Sequence, residues 1–301
     1  MLAQICYPLT SGTVRNFLTV ATVLLFAATS ITHAAATRGV SFAAVLVAVT
    51  AGGGFAVEAI GVATGWPFGS YVYAGTLGPR LLGVPLVIPF AWTMMAWPAW
   101  LVAGRLIRSS RWLRAGVAGW ALASWDVFLD PQMVAAGHWR WLHPSPALPG
   151  IASVPLTNYA GWLAVALVLM TLLSAQSESD CHKNTVRHAP DRDNRNPIVQ
   201  REAGAVRNCR TEVTLLPPPK RAGGGYVGLD VTYKDPTQHT PKRAFNRPDT
   251  PMMALYIWTY ASSVLAHAVF LGLPASALAG AVAMGLVAVP LAVHLVRTHG
   301  R

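Results

Sequence analysis

Trp125-Asp-Val-Phe-Leu-Asp-Pro131 ends an apolar segment of about residues 115–129 with two carboxyl groups. Asp126 and Asp130 are four residues apart, so in a helix they share one face, separated by about 6 Å of rise. Among the 12 acidic residues of the chain, only these two and Glu58 lie outside the polar segment of residues 175–250. A carboxylate inside a bilayer costs at least about 2.5 kcal/mol. We therefore expect Glu58, Asp126 and Asp130 to mark a functional site.

The composition identifies the class of protein. Of the 301 residues, 53% are hydrophobic and 12% are charged, and the mean hydropathy is +0.41. The apolar runs are too long for strands or ordinary core helices, which predicts an all-α fold, a polytopic helical bundle in a membrane. Three scattered cysteines have no metal-binding or redox spacing. The net charge of +11 favours contact with anionic membrane lipid over binding to nucleic acid.

Seven apolar stretches are predicted to span the membrane. They cover about residues 16–36, 40–64, 82–103, 115–129, 157–173, 252–270 and 274–295. We expect a membrane domain of residues 1–174 with five helices, a polar and largely disordered cytoplasmic loop of residues 175–250, and two further helices in residues 251–301. As an alternative, the first stretch is a signal peptide cleaved after Ala36. Asp130-Pro131 also has the pattern of an N-cap that opens a short surface helix, ending near Gly137.

The distribution of arginine predicts the orientation in the cell membrane. With the amino terminus outside, and without the long loop, seven arginines lie inside: Arg38, Arg105, Arg108, Arg111, Arg114, Arg297 and Arg301. Three lie outside: Arg15, Arg80 and Arg140. The positive-inside rule therefore places the long loop and the carboxyl terminus in the cytoplasm. In this topology all three isolated acids and the aromatic stretch of residues 66–73 approach the outer leaflet and form one site.

Small residues surround Glu58. Gly54, Glu58, Gly61 and Gly65 follow helical spacing on one face, so a flat ligand or another helix can come close. As an alternative, this face only packs, and Glu58 hydrogen-bonds to a neighbouring helix. His138 and His143 lie in a loop without companion ligands, so no metal site is expected there.

Four motifs carry a resemblance to a known family. They are Glu58-Ala-Ile-Gly-Val-Ala-Thr-Gly-Trp-Pro-Phe-Gly-Ser-Tyr-Val-Tyr73, Leu77-Gly-Pro-Arg-Leu-Leu-Gly-Val-Pro85 with Ile88-Pro89 and Trp92, Asp126-Val-Phe-Leu-Asp-Pro131, and Val154-Pro-Leu-Thr-Asn-Tyr-Ala-Gly-Trp162. The chain resembles the membrane carotenoid biosynthesis proteins, which include bisanhydrobacterioruberin hydratase and carotenoid hydratases of the gamma-carotene 1'-hydroxylase type. The resemblance covers about residues 40–175 and, more weakly, the last two helices. It implies addition of water to the terminal double bond of an acyclic carotenoid.

The three acids fit this chemistry on independent grounds. Alkene hydration needs an acid that protonates carbon, surroundings that tolerate a tertiary cation, and one positioned water. Burial favours the protonated form of a carboxyl group, and aromatic faces stabilise cations. We expect Asp126, the deeper aspartate, to donate the proton, Asp130 to be its neighbour or a cap, and Glu58 to orient the water. No redox cofactor is required.

The candidate substrate-binding residues are mainly aromatic and lie in the motifs or beside the acids. They are Trp66, Phe68, Tyr71, Tyr73, Trp92, Trp125, Asn158, Tyr159 and Trp162. An interfacial aromatic belt is the alternative interpretation for any one ring.

Other functions remain open at this stage. A carotenoid end-group cyclase also begins by protonating the alkene, and a non-catalytic carotenoid-binding or transport protein also keeps buried carboxyl groups. A magnesium-dependent prenyltransferase is disfavoured because the outer face lacks a basic cluster for a diphosphate. A retinal protein is disfavoured because every lysine lies in the polar loop. Besides the acyclic carotenoid and membrane lipid, other enzymes of the carotenoid pathway are candidate partners.

Overall fold

The computed structural model describes residues 1–187 and 249–299, so most of the polar loop predicted for residues 175–250 lies outside the described residues. The α-helices are α1 (Leu2–Cys6), α2 (Gly12–Arg38), α3 (Val40–Val47), α4 (Gly53–Thr64), α5 (Ile88–Leu106), α6 (Arg111–Ala135), α7 (Leu156–Arg187), α8 (Thr250–Leu265) and α9 (Pro274–His299). The strands are β1 (Tyr71–Tyr73), β2 (Arg80–Leu81), β3 (Val84–Pro85), β4 (Trp139–Trp141), β5 (Ala147–Leu148) and β6 (Ile151–Pro155). The helical membrane bundle predicted from the sequence is confirmed, because the described strands are short and form only two-stranded pairs.

Five helical segments are long and apolar enough to cross a membrane. They are Gly12–Arg38, Val40–Thr64, Leu156–Ala175, Thr250–Phe270 and Pro274–Arg297. A π-helical turn, Ala48–Gly52, joins α3 to α4 without a break, and a second, Ala266–Phe270, continues α8. These segments match five of the seven predicted spans.

The two remaining spans correspond to α5 and α6, and a count of seven spanning helices stays a prediction. Helix α5 packs against α2, α4, α6, α8 and α9, and its residues from Ala91 to Ala103 are all buried. A helix that is buried on every side occupies the centre of a bundle. Tryptophans at positions 92, 97 and 100 fill this centre, and indole rings make the helix less hydropathic than its burial would suggest.

The third predicted span begins too early. Helix α5 starts at Ile88, whereas residues 80–85 form a hairpin in which Arg80 pairs with Pro85. Leu82 and Gly83 turn this hairpin with φ angles of +51° and +81°, a conformation that excludes a helix. Apolar composition alone extended the predicted span into this hairpin.

The fourth span is longer than predicted. The alternative prediction, of a short surface helix that opens at Asp130-Pro131, is wrong. Helix α6 begins at Arg111, where the Ser110 side chain accepts a hydrogen bond from the Leu113 amide, and it continues through Pro131 to Ala135. Asp130 therefore lies inside a helix, on its buried face, and is not an N-cap. A proline is tolerated here because neighbouring groups in a bundle can compensate for the lost backbone hydrogen bond.

Short strand pairs lie at one end of the bundle, and one of them joins distant parts of the chain. Strand β1 pairs with β4, so that Tyr71 lies opposite Trp141 and Tyr73 opposite Trp139. Strands β5 and β6 form the next hairpin and lead directly into α7. Helix α7 continues to Arg187, past the end of the predicted fifth span.

Candidate active site

Glu58 lies buried on α4 and accepts three side-chain hydrogen bonds. The Tyr71 hydroxyl donates to Oε2 at 2.6 Å, and the Tyr73 hydroxyl donates to the same oxygen at 2.8 Å. The Trp92 indole nitrogen donates to Oε1 at 3.4 Å. The donors come from β1 and α5, so Glu58 connects the hairpin end of the bundle to its central helix.

The tyrosines beside Glu58 remain neutral donors. Burial, with the nearby Glu58 carboxyl as the second cause, raises the pKa of Tyr71 far above its usual value. The same two causes raise the pKa of Tyr73. Both hydroxyls therefore keep their protons and hold the carboxyl group in one orientation.

The small face around Glu58 allows aromatic rings of the chain itself to approach. A Cβ atom on Gly54 would lie 2.6 Å from the Trp92 ring. A Cβ on Gly61 would lie 2.9 Å from the Tyr71 hydroxyl and 3.0 Å from the Phe68 ring. This face therefore packs against side chains of the protein itself, and Glu58 hydrogen-bonds to α5, as the alternative interpretation of the sequence had it.

Asn158 joins the two aspartates. Its amide nitrogen donates to Asp126 Oδ2 at 2.8 Å and to Asp130 Oδ2. The Trp139 indole nitrogen donates to Asp130 Oδ1 at 3.1 Å. Asp126 Oδ1 is buried and has no hydrogen-bond partner within the described part of the chain. The two carboxyl groups therefore share one amide, and Asp126 is the less completely bonded of the two.

A cavity of about 30 Å³ brings the acids from two helices together. Glu58 of α4 and Asp130 of α6 both line it, whereas Asp126 does not. Its walls are otherwise mainly aromatic, and the lining residues are Glu58, Phe68, Tyr71, Tyr73, Ile88, Ala91, Trp92, Leu129, Asp130, Trp139, Trp141, Asn158 and Trp162. We call it the carboxyl cavity.

Ring contacts make the walls of the carboxyl cavity rigid. Trp92 and Trp162 stack with centroids 3.9 Å apart and planes 9° apart. Tyr73 meets Trp139 edge to face at 5.6 Å, and Tyr71 packs against Trp141 at 5.8 Å. Such walls present π faces and ring edges, with acidic groups at defined positions.

Most residues predicted to bind substrate reach this cavity, and three do not. Phe68, Tyr71, Tyr73, Trp92, Asn158 and Trp162 line it. Trp66 is 69% exposed and points away from the bundle core, which is where an interfacial residue would lie. Trp125 meets Trp162 edge to face and lines a different cavity. Tyr159 has a buried hydroxyl that lacks a partner among the described residues.

Trp139 and Trp141 also line the cavity, although they were not among the residues predicted to bind substrate. The available signal was the aromatic-rich stretch after Asp130. What was missing was the pairing of β1 with β4, which brings these rings over the cavity. Their neighbour His138 is buried between Thr19 and Thr76. No group of three potential metal-ligating side chains occurs in residues 1–187 and 249–299.

Fold and site together define a helical membrane protein with acidic groups enclosed by aromatic walls inside its bundle. A family model described as "Carotenoid biosynthesis protein" matches residues 17–191. The chain therefore belongs to the carotenoid biosynthesis protein family, as its motifs indicated.

A curated relative from Haloarcula japonica shares part of the sequence. The chain is 35% identical over 124 residues to bisanhydrobacterioruberin hydratase of that organism. The match covers 39% of this chain and 40% of the relative, so it spans less than half of either protein. No solved structure matches the chain.

Proposed function

We propose that the protein is a carotenoid hydratase, which adds water to the terminal double bond of an acyclic carotenoid. The observation that carries the proposal is the pair Glu58 and Asp130, acids of two helices that line one aromatic cavity. Membership of a carotenoid biosynthesis family supports the substrate class. The name of the Haloarcula japonica relative supports the reaction type.

The reaction requires one proton transfer to the alkene and one proton transfer from the attacking water. A carboxyl group transfers its proton to the less substituted alkene carbon, so that a C–H bond forms and the π bond breaks. The resulting tertiary cation lies against aromatic faces, which attract positive charge. A water oxygen then bonds to the cationic carbon, and its proton passes to a carboxylate. The product is a tertiary alcohol. The accepted proton must then return to the carboxyl group that donated the first one, which restores both protonation states without a redox change.

Access to the cavity and depth in the helix favour different proton donors. Depth in α6 favours Asp126, the donor expected from the sequence. Access to the cavity favours Asp130, which lines it, because a general acid must come within hydrogen-bond reach of the reacting atom. We assign the transfer to Asp130 and treat Asp126 as a positioning residue that acts through Asn158.

Glu58 is suited to receive the proton of the attacking water. Three donors stabilise its carboxylate form at a defined position in the cavity wall. It belongs to a different helix from the aspartates, so it can approach the cation from another direction. In that position it also stabilises the developing positive charge.

Product mass tests the proposal. The chain is expressed in a lycopene-producing host, and the extracted pigments are analysed by mass spectrometry. A gain of one water per modified end is expected. Unchanged mass with an altered absorption spectrum would replace the hydratase by an end-group cyclase. If only unmodified lycopene were found, the protein would be assigned to carotenoid binding or transport.

Three variants then test the assignment of roles at equal membrane expression. Asp130→Asn and Glu58→Gln should each lower product by about 100-fold or more, the usual contribution of acid–base catalysis. Asp126→Asn should lower it less. The matched control is Asp249→Asn, which removes an acid that pairs with Arg38 away from the cavity. Near-normal turnover by Asp130→Asn beside an inactive Asp126→Asn would reverse the assignment.

A further inference from the structure

A second and larger cavity, of about 120 Å³, lies inside the bundle. Thr22 and Val23 of α2 form one side, and Ser262 and Ser263 of α8 form the opposite side. Helices α2 and α8 both pack against the central helix α5, so the cavity lies where they flank it. We call it the inter-helix cavity.

The inter-helix cavity adjoins the carboxyl cavity. Ile88, Ala91, Leu129 and Trp139 line both. Leu129 directly precedes Asp130 on α6, and Trp139 is the donor to its carboxyl group. The two spaces therefore share a wall next to the proposed proton donor.

The walls of the inter-helix cavity present mainly carbon. Met94, Phe128 and Leu129 supply apolar surface from α5 and α6. The hydroxyls of Thr19 and Thr259 donate to carbonyls four residues earlier in their own helices, both at 2.9 Å. A hydroxyl that donates its proton to its own helix needs no acceptor in the cavity, which suits a hydrocarbon occupant.

The sizes of the two cavities suggest different contents. A space of about 30 Å³ has room for one or two water molecules. It has no room for a chain as well, so the alkene must come from the adjoining space. The inter-helix cavity is itself far smaller than a whole carotenoid, so the remainder of the chain must continue past its opening.

We infer that the inter-helix cavity binds the polyene next to the reacting end, against the surface that α2 and α8 contribute to its wall. This inference rests on the proposed function for the identity of its occupant. It assigns water to the carboxyl cavity and the polyene to the inter-helix cavity, with the terminal alkene at the wall that the two cavities share. Ala91 has the smallest side chain on the shared wall, and is where the terminal alkene reaches the acid.

A large side chain placed in the inter-helix cavity tests whether this cavity binds the polyene. In the lycopene-producing host, Ser263→Trp should lower the carotenoid that co-purifies with the detergent-solubilised protein by about tenfold or more, because each buried methylene adds to apolar binding. Hydrated product should fall with it. The matched control is Ala261→Trp, which adds the same ring at an exposed position of α8 and should change neither readout.

Two further variants keep the test decisive if Ser263→Trp does not fold. Thr22→Trp fills the cavity from α2 and should have the same effect. Ala91→Leu places a larger side chain on the wall that the two cavities share. This variant should retain bound pigment but should no longer form hydrated product. Folding is checked by monodispersity in detergent.

The outcomes separate the inference from the proposed function. Normal hydration by both filled variants would overturn the inference and leave the hydratase intact. Bound but unmodified pigment that is lost in both filled variants would overturn the hydratase and support the inference. Phospholipid acyl chains in place of carotenoid, displaced by the same variants, would identify a structural lipid site and overturn the inference. A wild-type chain with neither pigment nor product would overturn both.

Discussion

Single residues in this protein act through shared donors. Asn158 supplies the amide that holds both aspartates, and two tyrosine hydroxyls hold one oxygen of Glu58. Each acid therefore depends on side chains from another element. A buried polar group that loses its partner costs about 1–3 kcal/mol, so the donors matter for stability as well as for orientation.

Replacement of Asn158 should affect both aspartates at once. Asn158→Ala removes the amide shared by Asp126 and Asp130, and we expect a loss of about 1–3 kcal/mol of stability. Product should fall by about tenfold or more, because Asp130 loses its fixed orientation. Thermal unfolding in detergent and product mass give the two readouts. Val168→Ala, at an exposed position of the same helix, is the control. Full activity in Asn158→Ala would show that Trp139 alone positions Asp130.

His138 should make stability depend on pH. Burial, followed by the nearby Arg15, lowers the pKa of His138 to about 4, whereas an unfolded histidine titrates near about 6.5. Between these values the unfolded chain binds a proton that the folded chain does not. Stability should therefore rise with pH from about 4 to about 6.5 and be lost as pH falls through this range.

The measurement for His138 is the unfolding midpoint in detergent as a function of pH. His138→Gln should flatten the profile between about pH 4 and about pH 6.5. The matched control is His143→Gln, which replaces an exposed histidine on the other side of β4. Equal slopes for wild type and His138→Gln would assign the dependence to another group.

Helix α4 and its partners behave as one packed element. Its glycine face is in contact with rings from α5 and from the segment that follows α4, and its only acid is held by the same rings. Helix α6 continues through Pro131, and Asp130 therefore stays on its buried face. Tertiary contacts therefore decide how far α6 extends near the site and which rings cover the face of α4.

Added methyl groups on α4 and on the π-helical turn before it should discriminate between the packed and the open positions of this span. Gly54→Ala and Gly61→Ala place a Cβ within 3.0 Å of ring atoms, and overpacking of this kind costs about 1–3 kcal/mol. Gly52→Ala meets nothing within 4 Å and should stabilise the helix by up to about 1 kcal/mol. Unfolding midpoints in the same detergent provide the comparison. Equal midpoints for all three variants would mean that Trp92 and Tyr71 move aside freely.

For the whole molecule, the arginine distribution predicts that the site faces the outer leaflet. This orientation requires Ser70 outside and Gln238 inside, although Gln238 lies beyond the described residues. In a cysteine-free background, Ser70→Cys should react with an impermeant maleimide in intact cells, and Gln238→Cys only after permeabilisation. Reaction of both from the same side would refute the topology.

The sequence by itself determined the class of protein and the location of its acids. Apolar length predicts membrane helices because a bilayer imposes one distance on every spanning segment. A carboxylate costs free energy anywhere in the apolar part of a bilayer. Glu58, Asp126 and Asp130 are therefore recognisable from their positions in apolar segments alone. Helical spacing also predicts the glycine face of α4. These signals are local, so no knowledge of neighbours is required to interpret them.

Only the tertiary structure decided which side chains share a cavity. Pairing of β1 with β4 brings Trp139 and Trp141 over the acids, and the path of the chain leaves Trp66 outside. Asp130 faces the cavity and Asp126 lies behind it, although both occupy the same face of α6. The start of α5 and the continuation of α6 through Pro131 also depend on contacts between elements. Composition and period describe one segment at a time, whereas a cavity is defined by the packing of several segments together.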